Sequence, residues 1–184
     1  AVECTDNLHD GYPFPFEGQE WKSVEAAFQA MKFQSEEKRE KIRACKDAIQ
    51  AFQEARKRDG STLRPDWDAV RHFVMYRATR IRYQHHPALA RQLLATGNCT
   101  IRHNDSNPFW AKWNVLVQLR CREELKVPEE RRVELLDALR REFEDQCSSE
   151  CESLRVKPGP VPGEVELAEV MKATPMAGLP EAWP

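Results

Sequence analysis

Glycine is scarce in this chain of 184 residues, with only seven, which excludes collagen-like and other glycine-rich classes. No stretch approaches the roughly 18 consecutive apolar residues that a membrane span needs. The first residues lack the basic and apolar regions of a secretory signal. Because aromatic and aliphatic side chains suffice for a core, the sequence predicts a folded protein. We further expect a reducing compartment, cytoplasmic or nuclear, and no membrane partner.

Signatures of metal and nucleotide-triphosphate chemistry are also missing. The six cysteines are Cys4, Cys45, Cys99, Cys121, Cys147 and Cys151. They form no CxxC pair, and none of the five histidines lies at metal-ligand spacing. The chain also lacks the phosphate-binding loop, the dinucleotide fingerprint and the serine-hydrolase elbow. We therefore expect no metal site and no cofactor.

The formal net charge of −2 hides an uneven distribution. Residues 1–127 carry 21 basic and 17 acidic side chains, a balance of +4, whereas residues 128–184 carry 7 and 13, a balance of −6. A protein that coats nucleic acid uniformly would not show this division. The chain therefore divides into a mildly basic body and an acidic C-terminal part.

Apolar side chains recur at helical spacing along most of the chain. The turn-rich stretch 8–20 predicts a loop with short strands. Helices are predicted over 23–33, 36–58, from Arg64-Pro65-Asp66 to about His86, over 87–97 and 109–125, and from Pro128, with a short strand in the link 98–108 near Ile101. The prediction is a mainly α fold with minor β content, one compact domain and a monomer.

The first predicted helix has an unusual polar edge. Glu25, Gln29 and Lys32 lie at i, i+4 and i+7, so their side chains share one face, flanked by Phe28. A carboxylate, a carboxamide and an amine in a row can serve as acid or base, orienting group and nucleophile. On spacing alone, a solvated face with ordinary polar contacts is the simpler interpretation.

Aromatic and basic side chains give two more candidate features. Trp67 and Trp110 begin helices, where indoles serve as stacking platforms for bases or as core residues. Trp113 is expected to pack in the core.

The helix after Asp66 carries four arginines, Arg71, Arg77, Arg80 and Arg82. A solvated basic face is the simpler interpretation, and a phosphate-binding patch is the alternative.

Three segments resemble, in order, the motifs of the NADAR, or YbiA-like, family. Residues 8–33 read LHDGYPFPFEGQEWKSVEAAFQAMKF and resemble L-S-N-F-Y-P-x-P-F followed by E-H-Y-F-Q-A-x-K-F. Residues 63–98 begin with the R-P-D-W of the second motif, and residues 109–125 begin with the F-W of the third, followed by an Asn. The resemblance covers about residues 8–126.

This resemblance implies a division of the chain and a class of reaction. Residues 1–127 would be the catalytic domain. Outside the resemblance, apolar spacing predicts an amphipathic helix over 128–150, and proline content predicts an extended or flexible tail over 151–184. Proteins of this family hydrolyse N-glycosidic bonds. The leading expectation is removal of ADP-ribose from ADP-ribosylated guanine, in guanosine or nucleic acid. The alternatives are cleavage of phosphoribosylamino intermediates of riboflavin synthesis and a non-catalytic module that binds ADP-ribose or NAD-like ligands.

The resemblance also implies roles for individual residues. Glu25 would be the catalytic acid or base, and Lys32 the nucleophile that forms a Schiff base. The substrate-binding positions would be Tyr12, Gln29, Arg64, Trp67, Trp110 and Asn114. The two tryptophans are expected to sandwich a base.

The sequence departs from the family pattern at three points. The family's Ser-Asn-Phe reads His9-Asp10-Gly11 here. The glycine-rich loop after the F-W motif is absent, because only Ala111-Lys112-Trp113 separates Trp110 from Asn114. The acid that precedes the F-W motif has Asp105 as its candidate counterpart. These departures predict a change in substrate contacts around an intact first helix.

Overall fold

The structure, a computed structural model, describes residues 5–172 and confirms a mainly α fold with minor β content. Its elements are β1 (Phe14–Phe16), β2 (Gln19–Trp21), α1 (Val24–Ala30), α2 (Glu36–Arg43), α3 (Ala48–Ala55), α4 (Trp67–His85), α5 (Pro87–Ala95), α6 (Pro108–Leu125), α7 (Val133–Leu154) and α8 (Glu164–Lys172). A single 3-10 turn, Pro128–Glu130, joins α6 to α7.

Helix α4 is the centre of the core. It packs against α1, α5, α6, α7, α8 and β1. Val70, Val74 and Ile81 are fully buried on it, and buried residues lie on all its sides, as expected for a helix with neighbours all round. No helix within residues 5–172 is long and apolar enough to cross a membrane.

A short hairpin leads into α1. Strands β1 and β2 pair antiparallel, with Phe14 opposite Trp21. Glu17 and Gly18 both have positive φ, 52° and 68°, as a tight two-residue hairpin turn requires. Ser23 then caps α1, because its hydroxyl accepts a hydrogen bond from the backbone N–H of Ala26 at 3.2 Å. The predicted short strands and the predicted helix start are confirmed. The predicted end at Phe33 is wrong, because Phe33 pairs with Leu63 in an isolated bridge and α1 ends at Ala30, so that Lys32 lies in the turn after α1.

Three further local predictions are wrong. The single helix over 36–58 is two helices, because the Asp47 side chain accepts from the Gln50 N–H at 2.8 Å and so caps a new helix. Helix α4 begins at Trp67 rather than at Pro65, since the Asp66 carboxylate binds Arg64 instead of capping the helix. The link 98–108 contains no strand.

The arginines of α4 do not form a solvated face. Arg80 is 5% exposed and Arg82 is fully buried. Arg80 lies 3.7 Å from the carboxylate of Glu124, and Arg82 donates to the carbonyl of Asp6 at 2.8 Å. Since α4 has neighbours on every side, its charged residues needed buried partners, and the prediction of solvent exposure is wrong for these two.

The C-terminal part is packed on the body over the described residues. Leu136, Leu139 and Phe143 of α7 are buried, as the amphipathic pattern predicts. Helix α7 continues to Leu154, and α8 packs against α4. Residues 151–172 therefore differ from the flexible tail that proline content predicted, because their backbone finds hydrogen-bond partners on the body. Residues 173–184, with Trp183, lie outside the described residues.

Candidate active site

The three polar residues that were predicted to share one helical face form one hydrogen-bonded chain, with Glu25 and Gln29 on α1 and Lys32 in the turn after it. Gln29 Nε2 donates to Glu25 Oε1 at 2.6 Å, and Lys32 Nζ donates to Gln29 Oε1 at 2.6 Å. Gln29 is buried. Its carboxamide thus presents its donor to the acid and its acceptor to the amine, which is the one orientation that satisfies both neighbours. The contact between these side chains was predicted from their spacing.

Lys32 lies in surroundings that weaken its positive charge. Burial is the largest cause and lowers its pKa from 10.5 to about 8. The nearby cations Arg56 and Arg71 lower the pKa further, whereas Glu25 opposes them. A lysine with a pKa near 8 has a sizeable neutral fraction close to neutral pH, and the neutral amine is the nucleophilic form.

Glu25 is shifted in the opposite sense. Burial raises the pKa of its carboxyl group, while the hydrogen bond from Gln29 and the charge of Lys32 lower it in part. The carboxylate of Asp105 adds a further increase. A carboxyl group with a raised pKa keeps its proton at higher pH, which suits a general acid.

Aromatic rings flank this polar chain. The ring centroid of Phe28 lies 5.0 Å from that of Trp67 and 5.1 Å from that of Trp110. The Lys32 ammonium lies 5.1 Å from the Phe28 centroid, within cation–π range. Trp67 is 8% exposed and Trp110 is half-buried. The two indoles therefore both contact Phe28. Trp113 is buried in the core, as predicted.

The opposite side of Glu25 is polar. The Glu25 N–H donates to the Asn7 carbonyl at 3.0 Å, and Asn7 Nδ2 lies 3.4 Å from Asn114 Oδ1. Asn114 Nδ2 is 3.0 Å from His103 Nε2, which is 3.6 Å from the Asp105 carboxylate. The predicted residue Asn114 is thus connected to Glu25 through Asn7.

Asn7 is a candidate that the sequence reasoning missed. Among the described residues its Oδ1 is buried without a hydrogen-bond partner, so a bound polar group would satisfy it. When the family motif L-S-N-F-Y-P-x-P-F is aligned with residues 8–16 without gaps, its Asn falls at Asp10. The Asp10 carboxylate, however, accepts from the Ala48 N–H at the start of α3. A three-residue insertion after Asn7 would have paired it with that Asn instead.

The side chains of two predicted binding residues contact groups outside the polar chain. The Tyr12 ring contacts His9 and His86, with centroids 5.0 and 5.3 Å away. His86 follows the C-terminal end of α4. At a helical rise of 1.5 Å per residue, that end lies about 27 Å from Trp67. The Arg64 guanidinium is engaged by Asp66, with two hydrogen bonds of 2.6 and 2.8 Å. Of the other six predicted residues, three form the polar chain, and the remaining three, Trp67, Trp110 and Asn114, lie around it.

The site therefore contains a carboxyl group and an amine joined by a neutral amide. Opposite pKa shifts in neighbouring acid and base groups are typical of catalytic sites. Within residues 5–172, no three His, Cys, Asp or Glu side chains are grouped so that they could hold a metal ion.

The chain is similar in sequence to known proteins. The N-glycosidase YbiA of Escherichia coli (strain K12) is 33% identical over 100 residues, 54% of this chain and 62% of that protein. A riboflavin biosynthesis protein of Vibrio vulnificus (strain YJ016) is 36% identical over 91 residues, 49% of this chain and 24% of that protein. The matched segment thus spans less than two thirds of these relatives.

The fold is also similar to a solved structure. The NMR structure of the E. coli protein YbiA superposes with a TM-score of 0.59 at 28% identity, covering 66% of this chain and 77% of that one. The model of the NADAR domain matches residues 3–114, which is more than half of the chain. The matched stretch includes Glu25, Gln29 and Lys32. The protein belongs to the NADAR domain family.

Proposed function

We propose that this protein is an N-glycosidase that hydrolyses the bond between ribose and a base, and that its substrates are ADP-ribosylated guanines in guanosine or nucleic acid. The observation that carries the proposal is the hydrogen-bonded chain from Glu25 through Gln29 to Lys32. Similar proteins named N-glycosidase support the reaction class. ADP-ribose would be the product.

Lys32 is the proposed nucleophile. Its neutral amine attacks the anomeric carbon, the bond to the base breaks, and the electron pair leaves with the base. The amine-linked sugar then loses a proton from nitrogen and opens its ring, and the ring oxygen takes up a proton. The resulting protonated imine adds water and releases the sugar. A pKa near 8 for Lys32 supplies the neutral amine that the first step needs.

Glu25 is the proposed acid and base. Protonated Glu25 donates to the leaving base, because departure of the base as an anion is costly. The resulting carboxylate then activates the water that hydrolyses the imine. Gln29 connects the two groups, since its amide donates to Glu25 and accepts from Lys32.

The surrounding side chains suit a ribosylated, phosphate-bearing substrate. The half-buried indole of Trp110 offers a stacking surface for a base, with Trp67 behind Phe28. Asn114 and Asn7 present amide groups for ribose hydroxyls. Arg71, which stacks 3.8 Å from the Phe109 centroid, would provide a cation for the diphosphate.

The test is a turnover assay with two substrates. ADP-ribosylated guanosine and a phosphoribosylamino pyrimidine are incubated separately with the protein, and free ADP-ribose or ribose phosphate is measured by chromatography. We expect ADP-ribose release that Lys32→Ala abolishes and that Lys22→Ala, at an exposed lysine, retains. Full activity of Lys32→Ala would contradict the assigned nucleophile.

One observation favours a second substrate class. The Vibrio vulnificus relative is named a riboflavin biosynthesis protein, so turnover of the phosphoribosylamino pyrimidine alone would identify that reaction instead. ADP-ribose binding measured by calorimetry, with no turnover of either compound, would identify a non-catalytic binding module.

A further inference from the structure

A segment after α7 lies against the turn that precedes α4. We call residues 156–163 the C-terminal strap. The Gly159 N–H donates to Asp66 Oδ2 at 2.7 Å, and the carbonyl of Pro160 accepts from Arg64 Nη2 at 3.1 Å. The strap lies outside the stretch that matches the NADAR domain.

The end of the strap is held at a defined place. The Gly163 N–H donates to the Glu17 carboxylate in the hairpin turn. A Cβ atom at position 163 would lie 2.3 Å from the Phe16 ring, and the φ angle of Gly163 is +79°. Both constraints favour glycine. Arg77 of α4 also donates to the Val161 carbonyl. The strap is therefore anchored on β1 and α4.

The strap completes a buried ion pair. The side chains of Arg64 and Asp66 are 10% and 6% exposed. A buried ion pair is costly unless its remaining donors and acceptors are satisfied, and the Gly159 N–H and Pro160 carbonyl satisfy them. Burial alone would raise the pKa of Asp66, but the Arg64 guanidinium and the Gly159 amide keep it below its usual value.

The same turn touches the active site through its backbone. The Arg64 N–H donates to the Lys32 carbonyl at 2.8 Å, and the Trp67 N–H donates to the Arg64 carbonyl at 3.2 Å. Leu63 forms an isolated bridge with Phe33. The turn thus connects the residue that carries the amine to the residue that begins α4.

We propose that the C-terminal strap positions Lys32 and Trp67 for the reaction by holding the Arg64–Asp66 pair, which makes Asp66 a positioning residue. The effect on turnover rests on the proposed function, whereas the effect on the Lys32 amine does not. Without the strap, the turn is free to move away from α1, and water reaches the amine.

The test compares two substitutions at one position. Gly159→Pro removes the N–H that Asp66 accepts. Gly159→Ala keeps it, and its Cβ would lie at an ordinary contact distance of 3.4 Å from Arg64 and Asp66. For each variant, kcat and KM are measured with ADP-ribosylated guanosine. The pKa of Lys32 is measured from its Cε signal in 13C-lysine-labelled protein, assigned with Lys32→Arg.

We expect Gly159→Pro to lower kcat about tenfold, since small displacements of reacting groups are costly, and to raise the pKa of Lys32 from about 8 towards 10.5. Gly159→Ala should match the unsubstituted protein in both. Unchanged kcat and unchanged Lys32 pKa in folded Gly159→Pro would overturn the proposal and leave the strap a stabilising segment.

A second variant covers the case in which Gly159→Pro does not fold. Asp66→Asn keeps the shape of the side chain, weakens the pair with Arg64, and should change kcat and the Lys32 pKa in the same directions. Unchanged values would overturn the proposal equally. If the unsubstituted protein turns over neither substrate, the proposed function fails, and the Lys32 pKa in the variants still decides the role of the strap.

Discussion

The polar edge formed by Glu25, Gln29 and Lys32 and the arginines of α4 are both rows of polar side chains at helical spacing, but the structure uses them differently. On α4, the buried Arg80 lies near the carboxylate of Glu124, which also accepts from Tyr76 and Arg120. Just after α1, the Lys32 ammonium donates to a neutral carboxamide. A guanidinium stays charged when buried, whereas a buried lysine ammonium beside an amide loses its proton more easily.

This difference separates a structural charge from a reactive one. Arg80 and Arg82 fix the packing of α4 against α6 and against the segment before β1, because each has its partner there. The residues of the polar edge have shifted pKa values, raised for Glu25 and lowered for Lys32, since burial outweighs the attraction between them. Shifts of this kind in adjacent groups indicate function more than stability.

The largest expected effect comes from replacing the lysine of the polar edge with an arginine, the residue type that α4 carries. Lys32→Arg keeps a cation but removes the amine that can lose its proton, because guanidinium stays charged. We expect kcat to fall by at least about 10³-fold, measured in the ADP-ribosylated guanosine assay. The control is Lys22→Arg, which should retain activity. Activity within tenfold of the original in Lys32→Arg would show that the amine is not the nucleophile.

Glu25→Gln tests the acid side of the same edge. A neutral amide cannot donate the proton that the leaving base needs, so we expect kcat to fall about 10²-fold. Because the Glu25 charge raises the pKa of Lys32, that pKa should fall further in the variant. Exposed Glu20→Gln serves as the matched control. A rise in the pKa of Lys32 would contradict the assigned interaction.

Gln29→Glu would turn the neutral link into a carboxylate. An adjacent negative charge stabilises ammonium, so the pKa of Lys32 should rise above about 8. The neutral amine increases as pH rises through that pKa, so the corresponding limb of kcat against pH should move to higher pH. We expect about a tenfold loss at pH 7 that is partly regained at pH 9. A limb that stays in place would refute the role of the neutral link.

The lowered pKa of Lys32 should also make the free energy of unfolding depend on pH. The pKa of Lys32 is about 8 in the folded protein and 10.5 ordinarily, so between these values the unfolded state binds more protons. The free energy of unfolding therefore gains from Lys32 as pH rises from about 8 to 10.5, and Lys32→Met should remove that contribution. Urea titrations of both proteins across this window measure it.

The smallest expected effect on catalysis comes from the α4 side of the comparison. Arg80→Met leaves Glu124 with one cation fewer in the core, so we expect the free energy of unfolding to fall by about 2 kcal/mol. The kcat of the folded fraction should remain within about twofold. Urea unfolding followed by circular dichroism gives the first quantity. A large loss of kcat in folded Arg80→Met would mean that the two rows are not functionally distinct.

The contrast between α1 and α4 also shows what the sequence could predict. The contacts among Glu25, Gln29 and Lys32 follow from i, i+3 and i+4 spacing, and Ser23 is a recognisable cap. The burial of Arg82 could not be predicted, because a helix with neighbours on all sides lacks the periodicity that separates core from surface.

Contacts between distant segments escaped prediction for another reason. The bond between Gly159 and Asp66 joins residues 93 positions apart, and no local spacing records it. The proline content of that segment predicted an extended chain. Residues 156–161 indeed contain no helix, but the segment is packed on the body of the protein. Asn7 was missed because its contact with Glu25 joins separate segments and no local spacing records it.

The most direct test of the account is to trap the proposed intermediate. Protein turning over ADP-ribosylated guanosine is treated with cyanoborohydride, which reduces an imine to a stable amine, and the digested protein is analysed by mass spectrometry. The account predicts one sugar adduct on Lys32 and none in Lys32→Arg. Release of ADP-ribose at the normal rate without an adduct, or an adduct on another lysine, would contradict it.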